Sequence, residues 1–181
     1  MATKTLLSLA DYAALPDDGK RYELVEGELV ELTFPNWKHS SIQSFLFGKL
    51  SAYLDRDPIG KVGNDFGFIL GRDPDTLRGP DLYFVTKERA SSISPDSWMD
   101  GAPNLAVEIL SPSNSRAEIR RKVEQYLAAG SDLVWVIDPE QRTIETIGSS
   151  GKRTVLTDDD ELTARTLLPD FSVSVRDVLD A

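Results

Sequence analysis

Apolar residues recur along this chain with two different periods, and the switches between them mark out its elements. From Leu6 to Leu15 they fall at helical spacing and stop before Pro16, which predicts a short helix. The segment Tyr22-Glu-Leu-Val-Glu-Gly-Glu-Leu-Val-Glu-Leu32 predicts a hairpin turning at Glu26-Gly27. Ile42, Phe45, Leu46, Leu50, Tyr53 and Leu54 share one face of a longer helix, with Asn36 placed to cap it. Gly60 to Leu70 reads as a glycine-rich strand. Gly71 to Asp75 reads as a solvated turn, with no chemistry assigned to Asp73 or Asp75. Pro80 to Val85 is a short strand whose leading proline forfeits no ladder donor.

A polar loop from Lys87 to Pro103 leads into the apolar run Leu105-Ala-Val-Glu-Ile-Leu110. Ser111-Pro-Ser-Asn-Ser115 ends that strand and caps the next helix. Ile119, Val123, Tyr126 and Leu127 form the helix's buried stripe, and Gly130 stops it. Leu133-Val-Trp-Val-Ile137 is continuously apolar, as in strands covered on both faces. Arg142 to Ile147 and Arg153 to Leu156 predict a hairpin across Gly148-Ser-Ser-Gly151, and the tail from Leu167 to Leu179 packs back. Residues 104–138 therefore make one parallel strand–helix–strand unit, with the earlier strands antiparallel. The expected class is α/β: a mixed β-sheet flanked by helices. Without repeats or an internal linker, 1–181 reads as a single domain.

Composition narrows the chemistry. The absence of cysteine excludes a disulfide framework, a thiolate metal site and a cysteine nucleophile. The opening apolar patch is interrupted by Asp11 and no later stretch approaches a membrane span, so the expected address is cytoplasmic. A formal charge of −10 opposes tight non-specific binding to a phosphate backbone. Part of that acidity is the run Asp158-Asp-Asp-Glu161, which lacks calcium-ligand spacing and reads as a solvated loop.

Glu108 is the position that needs explaining. A carboxylate inside an apolar strand is costly to bury unless it is paired or holds a metal. Asp81 lies near the start of the preceding strand, and on neighbouring strands the two acids can converge on one hard cation such as Mg²⁺. Lys122 lies about 60° from Ile119 and about 40° from Tyr126 around its helix, so it borders the buried stripe and its ammonium can reach the site. Two carboxylates and a lysine are the parts of a metal-assisted phosphodiester hydrolase. Spacing alone favours a turn or strand-end acid, a carboxylate paired with a nearby arginine and a snorkelling surface lysine, since two acids and a lysine are a common set.

Several blocks then carry a resemblance. They are Arg21-Tyr-Glu-Leu-Val-Glu-Gly-Glu-Leu-Val30, His39 opening a helix, Gly79-Pro-Asp-Leu82, Gly101-Ala-Pro-Asn-Leu-Ala-Val-Glu-Ile-Leu-Ser-Pro-Ser113, Lys122 with Tyr126, and Val134-Trp-Val-Ile-Asp-Pro139. In this order, over roughly 20 to 180, they resemble the Uma-two family of proposed restriction endonucleases in the PD-(D/E)XK nuclease superfamily. The resemblance implies a restriction-endonuclease-like fold with Asp81 and Glu108 as ligands of Mg²⁺ or Mn²⁺. The superfamily's lysine usually follows the acid by two residues, but Leu110 stands there, and Lys122 on the next helix takes its place. Glu118 stands where an aspartate is expected in relatives.

Around this centre, His39 is either a capping residue on the first helical turn or a metal or phosphate contact. Tyr126 either supports Lys122 or packs in the core, and Glu23 and Glu28 read as surface strand positions that could face the cleft. Trp37, Trp98 and Trp135 read as packing or loop residues. The expected function is a metal-dependent endonuclease acting on DNA, as a homodimer because a two-fold assembly most simply cuts both strands. The alternative is a non-catalytic nuclease-fold module that binds protein or nucleic acid.

Overall fold

The computed structural model describes residues 5–112 and 114–181, so Met1 to Lys4 of the opening patch and Ser113 of the capping stretch lie outside it. In chain order its elements are α1 Leu9–Ala13, β1 Arg21–Val25, β2 Glu28–Leu32, α2 Trp37–Arg56, β3 Gly60–Gly63, β4 Phe68–Gly71, β5 Thr76–Arg78, β6 Leu82–Thr86, α3 Lys87–Ser91, β7 Met99–Asp100, β8 Leu105–Ile109, α4 Arg116–Ala128, β9 Leu133–Asp138, β10 Thr143–Gly148, β11 Arg153–Leu156, β12 Glu161–Ala164, β13 Leu168–Ser174 and α5 Val175–Asp180. A six-stranded sheet has the order β11-β10-β9-β8-β6-β3, a five-stranded sheet the order β2-β1-β5-β4-β7, and β12 pairs with β13. β8 and β9 run parallel on either side of the crossover through α4, while β6 meets β8 antiparallel. This is the expected mixed sheet flanked by helices.

The alternation of side chains along β8 and β9 decides what covers each face of the six-stranded sheet. Leu105, Val107, Ile109, Trp135 and Ile137 point into the larger core, against Ile42, Leu46 and Leu50 of α2 and the α5 and β13 residues. Ala106, Val134 and Val136 point the other way, against Ile119, Val123 and Tyr126 of α4. Glu108 is two residues beyond Ala106, so it falls on the α4 face. The sheet is thus covered on both sides, as the unbroken apolar run of β9 requires.

Local chemistry sets the boundaries. Asn36 accepts a hydrogen bond from the His39 backbone and starts α2. The first helix is shorter than its apolar pattern, because Ser8 and Asp11 form a capping box and the Leu7 amide donates to Gly27 O instead. Gly60 to Leu70 is two strands in different sheets rather than one. Asp65 takes a left-handed backbone between them, with φ of 55°. The stretch 87–103, expected as a loop, contains α3 and the two-residue β7, and the tail adds the β12–β13 hairpin. Among the acids of the 158–161 run, Asp158 pairs with Arg142 and Asp159 with Arg176. Among the described residues no helix is long and apolar enough to cross a membrane.

The β1–β2 hairpin turns where expected, with Glu26 at φ 51° and Gly27 at φ 78°. A Cβ on Gly27 would sit 2.6 Å from Leu6 Cβ. Gly27→Ala is therefore expected to cost at least about 1–2 kcal/mol, the usual penalty for a left-handed backbone with a Cβ. Urea denaturation measures this, and an unchanged midpoint would show that the turn has another route.

Candidate active site

Two strand ends and two helices bring the predicted residues together. Leu82 on β6 faces Val107 on β8, and extending that antiparallel register by one step sets Asp81 opposite Glu108. The Ile109 backbone N–H donates to Asp81 Oδ2 at 2.7 Å, pinning the carboxylate at the end of β8. From α2, Gln43 Nε2 donates to Asp81 O at 2.7 Å, and His39 Nε2 lies 3.2 Å from Asp81 Oδ2. Asp81, Glu108, Lys122, His39 and Glu23 line one cleft of about 160 Å³.

Glu108 is buried, and both its oxygens accept hydrogen bonds from α4. Lys122 Nζ donates to Oε2 at 2.9 Å and Tyr126 OH to Oε1 at 2.7 Å. These donors are four residues apart, so one helical face delivers both. Burial pushes the Glu108 carboxyl up to about 7, against the pull of the Lys122 charge and with the help of Asp81. Lys122 is itself buried rather than merely beside the stripe, which by itself would lower its pKa; Glu108 and Glu23 outweigh that and hold it raised. For His39 burial likewise acts downward, and Asp81 and Glu108 carry the balance upward. Burial, joined by the charge of Glu108, drives the Tyr126 hydroxyl far above its usual range.

Glu23 corrects the sequence reading. It is buried, not on the surface, although it sits among apolar neighbours in β1 just as Glu108 does in β8. Arg78 Nη1 donates to Glu23 Oε2 at 2.6 Å, Gly79 N to Oε1 at 3.1 Å, and Lys122 Nζ stands 3.7 Å from Oε1. Arg78 in turn donates to Gln125 on α4 at 2.6 Å. Nothing in the periodicity singled out Arg78 or Gln125, because β5 is three residues long and its arginine precedes the Gly79-Pro80 break. Glu28 remains exposed at the start of β2, Trp135 is fully buried and Trp37 is exposed.

The charges do not cancel. Within the ion-pair cluster Glu23, Asp81 and Glu108 outnumber Lys122 and Arg78, which leaves one excess negative charge when Glu108 is ionised and His39 neutral. Among the described residues no group of three or more His, Asp or Glu is arranged as a metal cage. Two hard carboxylates with room for water suit a cation of the Mg²⁺ type, which usually takes one or two carboxylates and completes its shell with water and substrate phosphate. The donor set fits. A larger cleft of about 350 Å³ adjoins it through Arg21, Glu23, Asp65 and Gly79, but lacks Asp81, Glu108 and Lys122.

A solved structure described as a "putative nuclease belonging to DUF820", from Anabaena variabilis ATCC 29413, superimposes with a TM-score of 0.84 at 21% identity, covering 96% of this chain and 98% of that one. At that identity the match establishes the fold. The chain belongs to the Uma2 family, described as "Putative restriction endonuclease", whose model matches residues 9–176. No curated protein matches it.

Proposed function

We propose that this cleft hydrolyses phosphodiester bonds of DNA with Mg²⁺ or Mn²⁺ held by Asp81 and Glu108. The observation that carries the reading is the Lys122 ammonium, 2.9 Å from Glu108 Oε2 in the cleft that Asp81 also lines. When bound, the ion supplies Lewis-acid polarisation of the phosphate and a more acidic water. The protein does the rest by position and charge. Lys122, held between Glu108 and Glu23, presents a preorganised cation to the attacking water or to charge building on the phosphate. Tyr126 fixes the orientation of Glu108, and His39 with the Ile109 amide fixes that of Asp81. Membership of the restriction-endonuclease family supports the same class of chemistry. Cutting both strands of a duplex would call for a two-fold dimer, which sedimentation measures.

A non-catalytic binding module on this fold is favoured by the formal charge of −10 and by the absence of any basic cluster in the sequence. The deciding experiment incubates purified protein with duplex and single-stranded DNA at low salt, with Mg²⁺, Mn²⁺ or chelator. Cleavage is expected with either metal and none with chelator. Absence of cleavage on every nucleic acid, together with no metal binding by calorimetry, would transfer the assignment to the binding module.

A further inference from the structure

Among the described residues lining the catalytic cleft, only Arg21 and Lys122 carry a fixed positive charge. Lys122 is buried, and Glu108 and Glu23 already engage it. Arg21 is different. Its side chain is 53% exposed, and that of its ion-pair partner, Asp65, is 50% exposed. A cleft that takes a polyanion therefore offers it one accessible cation, and a carboxylate of the same chain occupies that cation.

Position singles out the same residue. Arg21 and Glu23 are two residues apart on β1, so their side chains leave one face of the strand about 7 Å apart. Glu23 in turn stands 3.7 Å from the Lys122 ammonium. Arg21 lines the catalytic cleft, the larger cleft of about 350 Å³ and a third of about 270 Å³. Leu32, its register partner on β2, also lines all three but carries no charge. A strand leaving the catalytic cleft through either neighbour passes the guanidinium.

The pair with Asp65 is suited to exchange. Among the described residues it uses Nη2 alone, so the rest of the guanidinium fork is open. Such a fork matches carboxylate and phosphate by the same geometry. Ion pairs this exposed add little to stability, so the fold can release this one. Asp65 lies in the connection from β3 to β4 with φ of 55°, a left-handed position that asparagine tolerates as well as aspartate.

We infer that Arg21 binds a phosphate of the substrate strand flanking the scissile one, and that Asp65 holds that phosphate's place in the free protein. Nucleic acid engages Arg21 by displacing Asp65, which sets a threshold for binding. The inference rests on the hydrolase reading for the identity of the anion and is tested separately, by binding.

The full chain is titrated in chelator with a short fluorescently labelled DNA duplex, reading anisotropy over a series of salt concentrations. Arg21→Gln should weaken binding about tenfold, the loss of a hydrogen bond to a charged group. It should also flatten the slope of log affinity against log salt by about 1. Arg21→Lys keeps the charge and should keep the slope. Asp65→Asn should instead tighten binding about two- to fivefold, the worth of an exposed ion pair, and lose that gain when combined with Arg21→Gln. Asp100→Asn removes the same charge from another exposed pair, with Arg72, that lines none of these clefts, and should leave affinity nearly unaltered. Circular dichroism and melting should match wild type throughout, since both side chains of the Arg21–Asp65 pair are half exposed.

An equal gain from Asp65→Asn and Asp100→Asn, or a gain that persists without Arg21, would reduce the effect to net charge and overturn the inference. So would an unaltered salt slope in Arg21→Gln, weaker or unchanged binding in Asp65→Asn, or no wild-type binding at any salt. Wild-type cleavage with metal that Arg21→Gln retains at an unaltered salt slope would leave the hydrolase standing and the phosphate contact refuted. Binding that follows the expected pattern without cleavage in any metal would refute the hydrolase and leave Arg21 as a phosphate contact.

Discussion

A Glu108→Gln protein is expected to cleave DNA about a hundred- to a thousandfold more slowly than wild type, the usual cost of removing one preorganised electrostatic group. Asp81→Asn and Lys122→Met should each fall in the same range. Glutamine keeps the shape of Glu108 and can still accept from Tyr126 or Lys122, so the loss isolates charge from packing. Lys122 then keeps Glu23, at 3.7 Å, as its nearest charged partner. On the proposed reading the three groups act together on one phosphate, so a double variant should lose far less than the product of its single losses. Circular dichroism and melting must first show that each variant folds. Cleavage that persists in all three at the wild-type rate would move the chemistry to another site or to a contaminant.

Arg78→Met is expected to be the most destabilising substitution near the cleft, by about 3–5 kcal/mol, the range for breaking a buried ion pair from one side. The guanidinium and Glu23 are each only 3% exposed and meet at 2.6 Å. Without Arg78 the carboxylate keeps the Gly79 amide and the partial company of Lys122, which places the result toward the lower end of that range. Adding Glu23→Gln removes the stranded charge and should recover much of the loss, a coupling that a double-mutant cycle in urea isolates. Additive losses would mean that the pair is solvated in practice.

Long periodic segments of this fold were legible in the sequence. The face of α2 from Ile42 to Leu54, the turn at Glu26-Gly27, and the β8–α4–β9 crossover all appear at or near their expected bounds. Each is specified by local pattern or cap chemistry. β5, α3 and β7 were not legible, since two to five residues carry no period and their strands exist only through pairing with distant partners. The site divides in the same way. Glu108 stood out by its apolar neighbours, whereas Asp81 and Lys122 were picked out by the family resemblance, their spacing alone favouring ordinary strand-end and surface roles. Glu23 gave the same signal as Glu108 inside Tyr22-Glu23-Leu24, but the hairpin's other glutamates made it look like one of a solvated set. Arg78 became visible only once β1 and β5 were joined at Leu24 and Leu77.

The wide spacing of the cleft residues has a consequence during biosynthesis. Glu23 and Asp81 are made before Glu108, and Lys122 and Tyr126 come later still on α4. β8 gains its second neighbour only when β9 has been synthesised. At about 5–20 residues per second, roughly 5–20 s separate Glu23 from Lys122 on the translating ribosome. On the proposed reading, no growing chain short of α4 contains an assembled catalytic centre. On that reading, a nascent chain that has not yet reached Lys122 is harmless to the transcript and genome around it.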